Sequence, residues 1–405
     1  MQVYLTLACG YKSMEYNLVV SMRFEFATAT EIVFGPGTVQ RVVPAAAHMG
    51  KRVFLVIGKD GQRAAGLQGQ LTQAGLDCVV FNVAGEPTVP MAHRAILEAR
   101  QAKTDLVIAL GGGSTIDLAK VVATMLTNPG DLMTYIEVVG DGRPLRNRCA
   151  PWIAVPTTAG TGAEVTRNAV LGAPEHRRKV SIRSPLMLAS LAVIDPELTY
   201  SLPPYVTAST GLDALTQLIE PFVSIAANPM TDALCREGIV RVGRSIRRAY
   251  VDGHDVTARE DMAVASLFGG LALANARLGA VHGLAGPLGG HLNAPHGAIC
   301  GRLLAFVMEA NVRALYQRLP HSEAVARFDE LGRLLTGRPG AKAAEAIQWV
   351  YTVGFDLGIS SLAHWGLTSD DIPQMAEMAR TSSSTKGNPI ELTTDELTEA
   401  LERAI

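Results

Sequence analysis

No run of about 18 uninterrupted apolar residues occurs in the 405-residue chain, so a conventional membrane-spanning helix is not expected. Charge of one sign is also missing. Lys and Arg total 36 against 38 Asp and Glu, interspersed, for a formal net charge of −2, which gives no electrostatic reason to expect nucleic acid or an anionic membrane as partner. Cysteine is scarce and odd in number. Cys9, Cys78, Cys149, Cys235 and Cys300 are widely scattered and read as free thiols of a reducing cytosol, so the chain is expected to be cytoplasmic. The N-terminus lacks the cationic start and long apolar stretch of a secretory signal. Residues 1–21 fit nothing that follows and are read as an upstream start or a disordered extension without function. Internal repeats and low-complexity tracts are absent too.

What is present is apolar bulk and glycine. An apolar fraction of 48% with 39 glycines suits a well-buried globular protein, and the length exceeds one typical core, so two domains are expected, 22–204 and 205–405. From Arg52 the first half alternates buried strands with amphipathic helices. Val53 to Gly58, Cys78 to Val83, Asp105 to Leu110 and Trp152 to Pro156 are the strands, with helices over 63–74 and 89–103. This order predicts a doubly wound, mostly parallel α/β sheet with ligands at the carboxyl ends of its strands. Beyond Pro203, apolar residues recur three and four apart, which predicts an all-helical second half.

Two strand exits carry glycine and hydroxyls. The first, GGGSTIDLAK from Gly111 to Lys120, lets the backbone turn sharply and approach a bound group, with Ser114 expected to cap the following helix. That helix N-terminus suits a pyrophosphate, although a plain glycine turn with a serine cap would look similar. It is neither a spaced G-x-G-x-x-G fingerprint nor a P-loop. The second, TTAGTGAEVT from Thr157 to Thr166, offers Thr157, Thr158 and Thr161 as donors to phosphate or amide, the bland alternative being turn formation. Two such loops on neighbouring strand ends favour a bound cofactor.

The helical half adds a histidine cluster. LGAVHGLAGPLGGHLNAPHG, from Leu278 to Gly297, holds His282, His291 and His296 out of nine histidines in the chain. Any one alone is more often satisfied by a backbone carbonyl than used as a ligand. Upstream, Val206 to Ser224 predicts a helix with an apolar stripe of Leu212, Leu215, Leu218, Ile219 and Phe222. Asp213, Gln217 and Glu220 fall together on another side, Thr207 or Ser209 is the expected N-cap, and Pro221 is expected to kink or end it.

GGGSTIDLAK, PTTAGTGAEVT, the segment from Lys179 to Thr199 and the histidine stretch together resemble the iron-containing, or group III, alcohol dehydrogenase family, over nearly everything from Met22 onward. The resemblance implies a dinucleotide-binding α/β domain, an all-helical domain in a dehydroquinate synthase-like architecture, an active site in the cleft between them, and a homodimer. It implies cofactor contacts from Gly112, Gly113, Ser114, Asp117, Thr157, Thr158, Thr161, Asn168 and Lys179. It also implies a divalent metal, Fe(II) or Zn(II), on Asp213, His282 and His296. Gln217 stands where the family's fourth ligand, a histidine, usually sits, and its amide oxygen is a weak candidate ligand.

A second departure is Gly286, where many members carry another histidine near the substrate, so a larger pocket is expected; His291 is assigned to the surface. Past the first buried strand, Gly58 and Lys59 replace the aspartate of NAD-preferring members, which favours NADP over NAD. The implied activity is NAD(P)-dependent alcohol oxidation, or aldehyde or ketone reduction, by hydride transfer to or from a metal-polarised oxygen-bearing carbon. Two alternatives stand beside it. One is a maleylacetate reductase-like enzyme using Arg183 or Arg277 for a dicarboxylate; the other is a cofactor-binding protein impaired in catalysis by the changes at Gln217 and Gly286.

Overall fold

In a computed structural model of the chain, residues 23–59, 61–176 and 178–405 are described. The expectation for residues 1–21 lies outside them. The α/β half comprises β1 (Glu31–Phe34), α1 (Val42–Met49), β2 (Arg52–Ile57), α2 (Gln62–Gln73), β3 (Asp77–Asn82), α3 (Val89–Gln101), β4 (Leu106–Gly111), α4 (Gly113–Thr127), β5 (Trp152–Pro156), β6 (Asn168–Ala173), β7 (Arg178–Arg183) and β8 (Leu191–Ile194). The helical half comprises α5 (Pro204–Val223), α6 (Pro229–Val251), α7 (Val256–Ala276), α8 (Ala280–His291), α9 (His296–Arg318), α10 (Glu323–Thr336), α11 (Ala343–Asp356), α12 (Ile372–Arg380) and α13 (Thr394–Glu402).

Six strands form one parallel sheet in the order β1-β8-β5-β4-β2-β3, and β6 and β7 pair as an antiparallel ribbon outside it. The centre is dry on both faces, which is why β4 and β5 read as continuous apolar runs: every residue of each is buried. Edge strand β3 instead alternates in exposure. Register decides the functional consequence. Gly111 at the end of β4 lies opposite Pro156 at the end of β5, and Leu110 opposite Ile57 at the end of β2. The glycine turn, the threonine loop and the Gly58–Lys59 turn therefore emerge side by side.

The helical half packs around α5, whose apolar stripe and polar side are both buried. Leu212, Leu215 and Leu218 are fully inaccessible, and Asp213, Gln217 and Glu220 are exposed by at most 5%. Helix α7 joins the halves, since Ala263, Leu267 and Leu271 pack into the core of the α/β half. Glycine makes the join close: Gly162, at φ +56°, rests directly on Gly270 of α7, where a Cβ on either would overlap the other's backbone. Among the described residues no single helix is long and apolar enough to cross a membrane.

Two local expectations are corrected. Helix α4 takes Gly112 as its N-cap, without a side-chain cap, so Ser114 lies inside the first turn. Helix α5 starts earlier than Thr207 or Ser209 would allow, at Pro204 after Pro203, because proline suits the first helical turn and both hydroxyls are buried inside the helix. Pro221 sits in the last turn, and the helix ends two residues later at Val223, in keeping with the expectation.

Candidate active site

The cofactor candidates converge from four chain segments. Thr157 donates its N–H to the Gly111 carbonyl at 3.0 Å, so the two loops are tied at their roots. A Cβ on Gly112 would lie 3.3 Å from the Thr158 side chain, and one on Gly113 would lie 2.7 Å from Thr161 Oγ1. These glycines are thus required by the close approach of the second loop as well as by any ligand. Ser114 and Asp117 follow on the first two turns of α4. Asp117 Oδ2 accepts the Val170 N–H at 3.0 Å, which fastens α4 to β6, and Asn168 opens β6. Lys179 on β7 reaches Glu86 Oε1 at 2.8 Å and lies against Gly289 of α8, where a Cβ would come within 2.8 Å of its Nζ. A cleft beside this cradle is lined by Gly58, Lys59, Gly111, Gly112 and Thr157.

Beneath the cradle is a buried charge network that sequence spacing did not reveal. Lys120, fully inaccessible, donates to the carbonyls of Ala163 at 2.9 Å and Asn168 at 2.6 Å and to Thr166 Oγ1 at 2.9 Å, with Asp117 at 3.6 Å. It pins the threonine loop and β6 to α4. Nearby Glu164 is buried, and burial pushes its carboxyl from 4.5 up to about 7, against the pull of Lys120. A folded pKa above the unfolded one stabilises the fold fully below the unfolded value and loses that contribution as pH rises towards the folded value. The shift corresponds to about 3 kcal/mol. Glu164→Gln, which has no charge to desolvate, is expected to be more stable than wild type in urea at pH 8 by up to that amount and indistinguishable at pH 4. Equal stability at pH 8 would sink this account.

Across the halves, α5, α8 and α9 assemble the second cluster. Asp213 Oδ1 lies 3.6 Å from His282 Nε2 and 3.8 Å from His296 Nε2, and the imidazole centroids are 5.4 Å apart. The three residues that the family resemblance implied as metal ligands are thus brought together. Gln217 follows one turn after Asp213, donates Nε2 to the Gly160 carbonyl at 3.2 Å, and leaves a buried Oε1 without a hydrogen-bond partner among the described residues. His291 does not join them: half-exposed at the end of α8, it pairs with Asp371 at 3.1 Å. Arg183 pairs with Glu137 at 3.8 Å, and Arg277 is exposed at the α7–α8 turn. At Gly286 an added Cβ would meet nothing within 4 Å, so this side of α8 opens onto free space.

Two participants were not assigned from the sequence. Glu220 accepts His282 Nδ1–H at 2.6 Å through Oε2 and the Val281 N–H at 2.7 Å through Oε1. This makes Nδ1 a donor to Glu220 and turns Nε2 of His282 toward Asp213. The signal was available, since Glu220 shares a helix side with Asp213 and Gln217. Cys300 is the other. Its Sγ lies 3.6 Å from His296 Nε2, one turn along α9, and the donor atoms of Asp213, His282, His296 and Cys300 all fall within 4.8 Å of one another.

Electrostatics follow from burial. Burial pushes the His282 imidazole down, but Cys300, Glu220 and Asp213 together overcome it and hold the ring well above its usual range. Burial, aided by Lys179 and His282 and opposed by Asp213, lowers His296 to about 4, so its ring is neutral near pH 7. Burial would raise Asp213, but His296 and His282 hold it below the usual carboxylate range. Asp213 Oδ1 and His296 Nδ1 remain buried without hydrogen-bond partners among the described residues. An unpartnered buried carboxylate oxygen facing two imidazoles fits a bound divalent cation. Glu220→Gln, which weakens the outer hold on His282, is expected to cost roughly 10–100-fold in metal affinity, read by chelator competition. An unchanged affinity would deny Glu220 this role.

A parallel sheet offering two glycine–hydroxyl loops, joined to helices that gather a carboxylate and two imidazoles, defines the class: a two-part oxidoreductase acting on CH–OH groups. The chain belongs to the iron-containing alcohol dehydrogenases: the family model of that description matches residues 29–196, and the model for the Fe-containing alcohol dehydrogenase family, C-terminal, matches 207–405. It is 33% identical to the choline dehydrogenase of Bacillus subtilis (strain 168), over 94% of this chain and 95% of that one. A crystal structure of 1,3-propanediol oxidoreductase superposes with a TM-score of 0.86 at 32% identity, covering 95% of this chain and 100% of that one. Sulfoacetaldehyde reductase from Bifidobacterium kashiwanohense, solved in complex with NAD+, does so with a TM-score of 0.82 at 27% identity, covering 95% and 99%.

Proposed function

We propose that the protein is an NADP-preferring alcohol dehydrogenase, or aldehyde and ketone reductase, whose metal is held by Asp213, His282 and His296. The observation that carries this reading is the buried Asp213 Oδ1, unpartnered among the described residues and facing two imidazole nitrogens within 3.8 Å. When bound there, a divalent metal supplies a Lewis acid for the substrate oxygen. Asp213 offsets part of its charge, and Glu220 orients His282 through Nδ1. The loops at Gly112, Gly113, Ser114, Thr157, Thr158 and Thr161 cradle the dinucleotide, with Asp117, Asn168 and Lys179 as further cofactor contacts. The closely packed halves exclude water and fix the distance for hydride transfer. Gln217 contributes, at most, a neutral amide oxygen to this site. Gly286 leaves room for a substrate larger than a simple short alcohol.

Preference for NADP rests on Gly58 and Lys59 at the end of β2, beside Gly111. Neither of these two residues is an acid that would repel a 2′-phosphate. Gly58→Asp is expected to weaken NADPH at least about tenfold relative to NADH, one unit charge at short range being worth about 1.4 kcal/mol or more. Equal loss for both nucleotides would mean that the 2′-phosphate binds elsewhere. Cofactor and metal parts are taken to meet between Ile194 and Pro204, where the sheet ends and α5 begins. A cytoplasmic homodimer is the accompanying expectation, checked by sedimentation.

The deciding experiment quantifies Fe, Zn, Mn and Ni in the purified protein and assays a panel of aldehydes and ketones with NADPH and NADH before and after chelation. Activity lost on chelation and restored by Fe(II) or Zn(II) supports the reading. Reduction by metal-free protein would withdraw the metal assignment, and cofactor binding without any turnover would favour the noncatalytic alternative.

A further inference from the structure

We propose that Cys300 is a direct ligand of this metal, replacing the histidine whose place Gln217 has taken, and that the resulting Asp–His–His–Cys set selects Zn(II) over Fe(II). The inference rests on the metal reading above and deepens it. The family resemblance pointed to Gln217 as the substitute, but its amide is tied through Nε2 to Gly160 of the threonine loop. Cys300 instead arrives from the opposite side, on α9. It follows His296 by one helical turn, so both side chains leave the same face of the helix.

The distances suit a small ion. Four donors around zinc at about 2.0–2.3 Å are separated from one another by roughly 3.3–3.8 Å if tetrahedral. Here His282 to Asp213 is 3.6 Å, His296 to Asp213 is 3.8 Å and Cys300 to His296 is 3.6 Å. All four donor atoms lie within 4.8 Å of one another. Cys300 is fully inaccessible and Asp213 is 2% exposed, so both donors sit inside the protein rather than at its surface. As a thiol, Cys300 lies within hydrogen-bonding reach of His296 Nε2, Asp213 and His282. As a thiolate, the same Sγ meets a cation held by the carboxylate and the two imidazoles, which also gives the buried Asp213 Oδ1 a partner.

Metal choice follows from donor softness. A thiolate with two imidazoles favours zinc over the harder divalent ions, and zinc also binds N, O and S donors more tightly than Fe(II) in the general order of affinities. Zinc accepts a fifth ligand, so four protein donors do not bar substrate.

Cobalt(II) tests this without reference to turnover. The metal-free protein is loaded with Co(II) and its spectrum recorded: visible d–d absorptions report bound ion, and a near-ultraviolet charge-transfer band reports a thiolate on it. The band is expected in wild type and in Gln217→Ala, and is expected to vanish in Cys300→Ser while the d–d absorptions persist. Chelator competition on Cys300→Ser is expected to show zinc affinity down at least about tenfold, with a smaller loss for Fe(II) under anaerobic conditions. Bound cobalt without the charge-transfer band in wild type would overturn the assignment of Cys300 and leave the three-ligand reading standing. Folded wild-type protein that takes up no cobalt at all would overturn both. The wild-type spectrum decides the matter even if the serine variant fails to fold.

Discussion

Replacing His282 by alanine is expected to strip the protein of its metal and lower kcat/KM for aldehyde reduction by roughly 1,000-fold or more, the several kcal/mol that Lewis-acid stabilisation supplies. Three facts make the effect large. His282 is buried, so no water-filled space surrounds the lost ring. Its Nδ1–H is the partner of Glu220 Oε2 at 2.6 Å, so the variant leaves that buried oxygen without its side-chain partner, with only the backbone N–H at Oε1 remaining. Its Nε2 is one of two imidazole nitrogens within 3.8 Å of Asp213 Oδ1. His291→Ala is the control. That ring pairs with Asp371 at 3.1 Å, apart from the cluster, and its loss is expected to change kcat/KM by no more than about twofold. Metal content and steady-state rates of both variants, with circular dichroism to verify folding, separate the roles. Comparable losses in the two would mean that the histidine stretch acts through structure rather than through a metal.

The second large effect is expected at a residue with no functional group. Gly297→Ala should expel the metal and destabilise the fold by roughly 1–3 kcal/mol. Helix α9 begins at His296 and must bring that ring to Asp213 on α5. It does so by laying Gly297 directly on the α5 backbone: a Cβ there would overlap the Ser209 carbonyl and sit 3.1 Å from Asp213 Cβ. One turn later Gly301 packs against the Leu212 side chain of α5, where a Cβ would lie 2.8 Å from Cδ1. The overlap at Gly297 is with backbone, which cannot rotate away, so α9 has to move and carries His296 and Cys300 with it. Chelator competition and urea unfolding measure the two consequences. Full metal affinity in the alanine variant would show that α9 can tilt without opening the site, and the close packing would then lack the functional weight given to it.

Much of the fold is legible in the chain because its physical causes are local. The runs from Val53, Asp105 and Trp152 read as buried strands because both faces of a parallel sheet are covered, and β2, β4 and β5 sit within a residue of those runs. Edge effects were harder. Edge strand β1 spans only Glu31–Phe34, because pairing needs a neighbour and β8 offers only four residues. Capping went wrong at Ser114 and at Thr207 or Ser209 for a related reason: a hydroxyl near a helix start is a cap only if tertiary packing leaves it outside the helix.

The site divides in the same way. Periodicity put Asp213, Gln217 and Glu220 on one side of one helix, and family likeness linked them to His282 and His296. Helical spacing tells which residues share a face but not which other helix that face will meet. The tertiary structure alone decided that Glu220 grips His282, that Cys300 stands beside His296, that Lys120 secures the threonine loop, and that Gly286 faces open space. Each depends on atoms from segments far apart in the chain meeting within a few ångströms. Alternation, turn chemistry and motif order are properties of neighbouring residues, and these the sequence determined unaided; the coordination geometry is a property of helix packing, set by where Gly297 and Gly301 let α9 rest on α5.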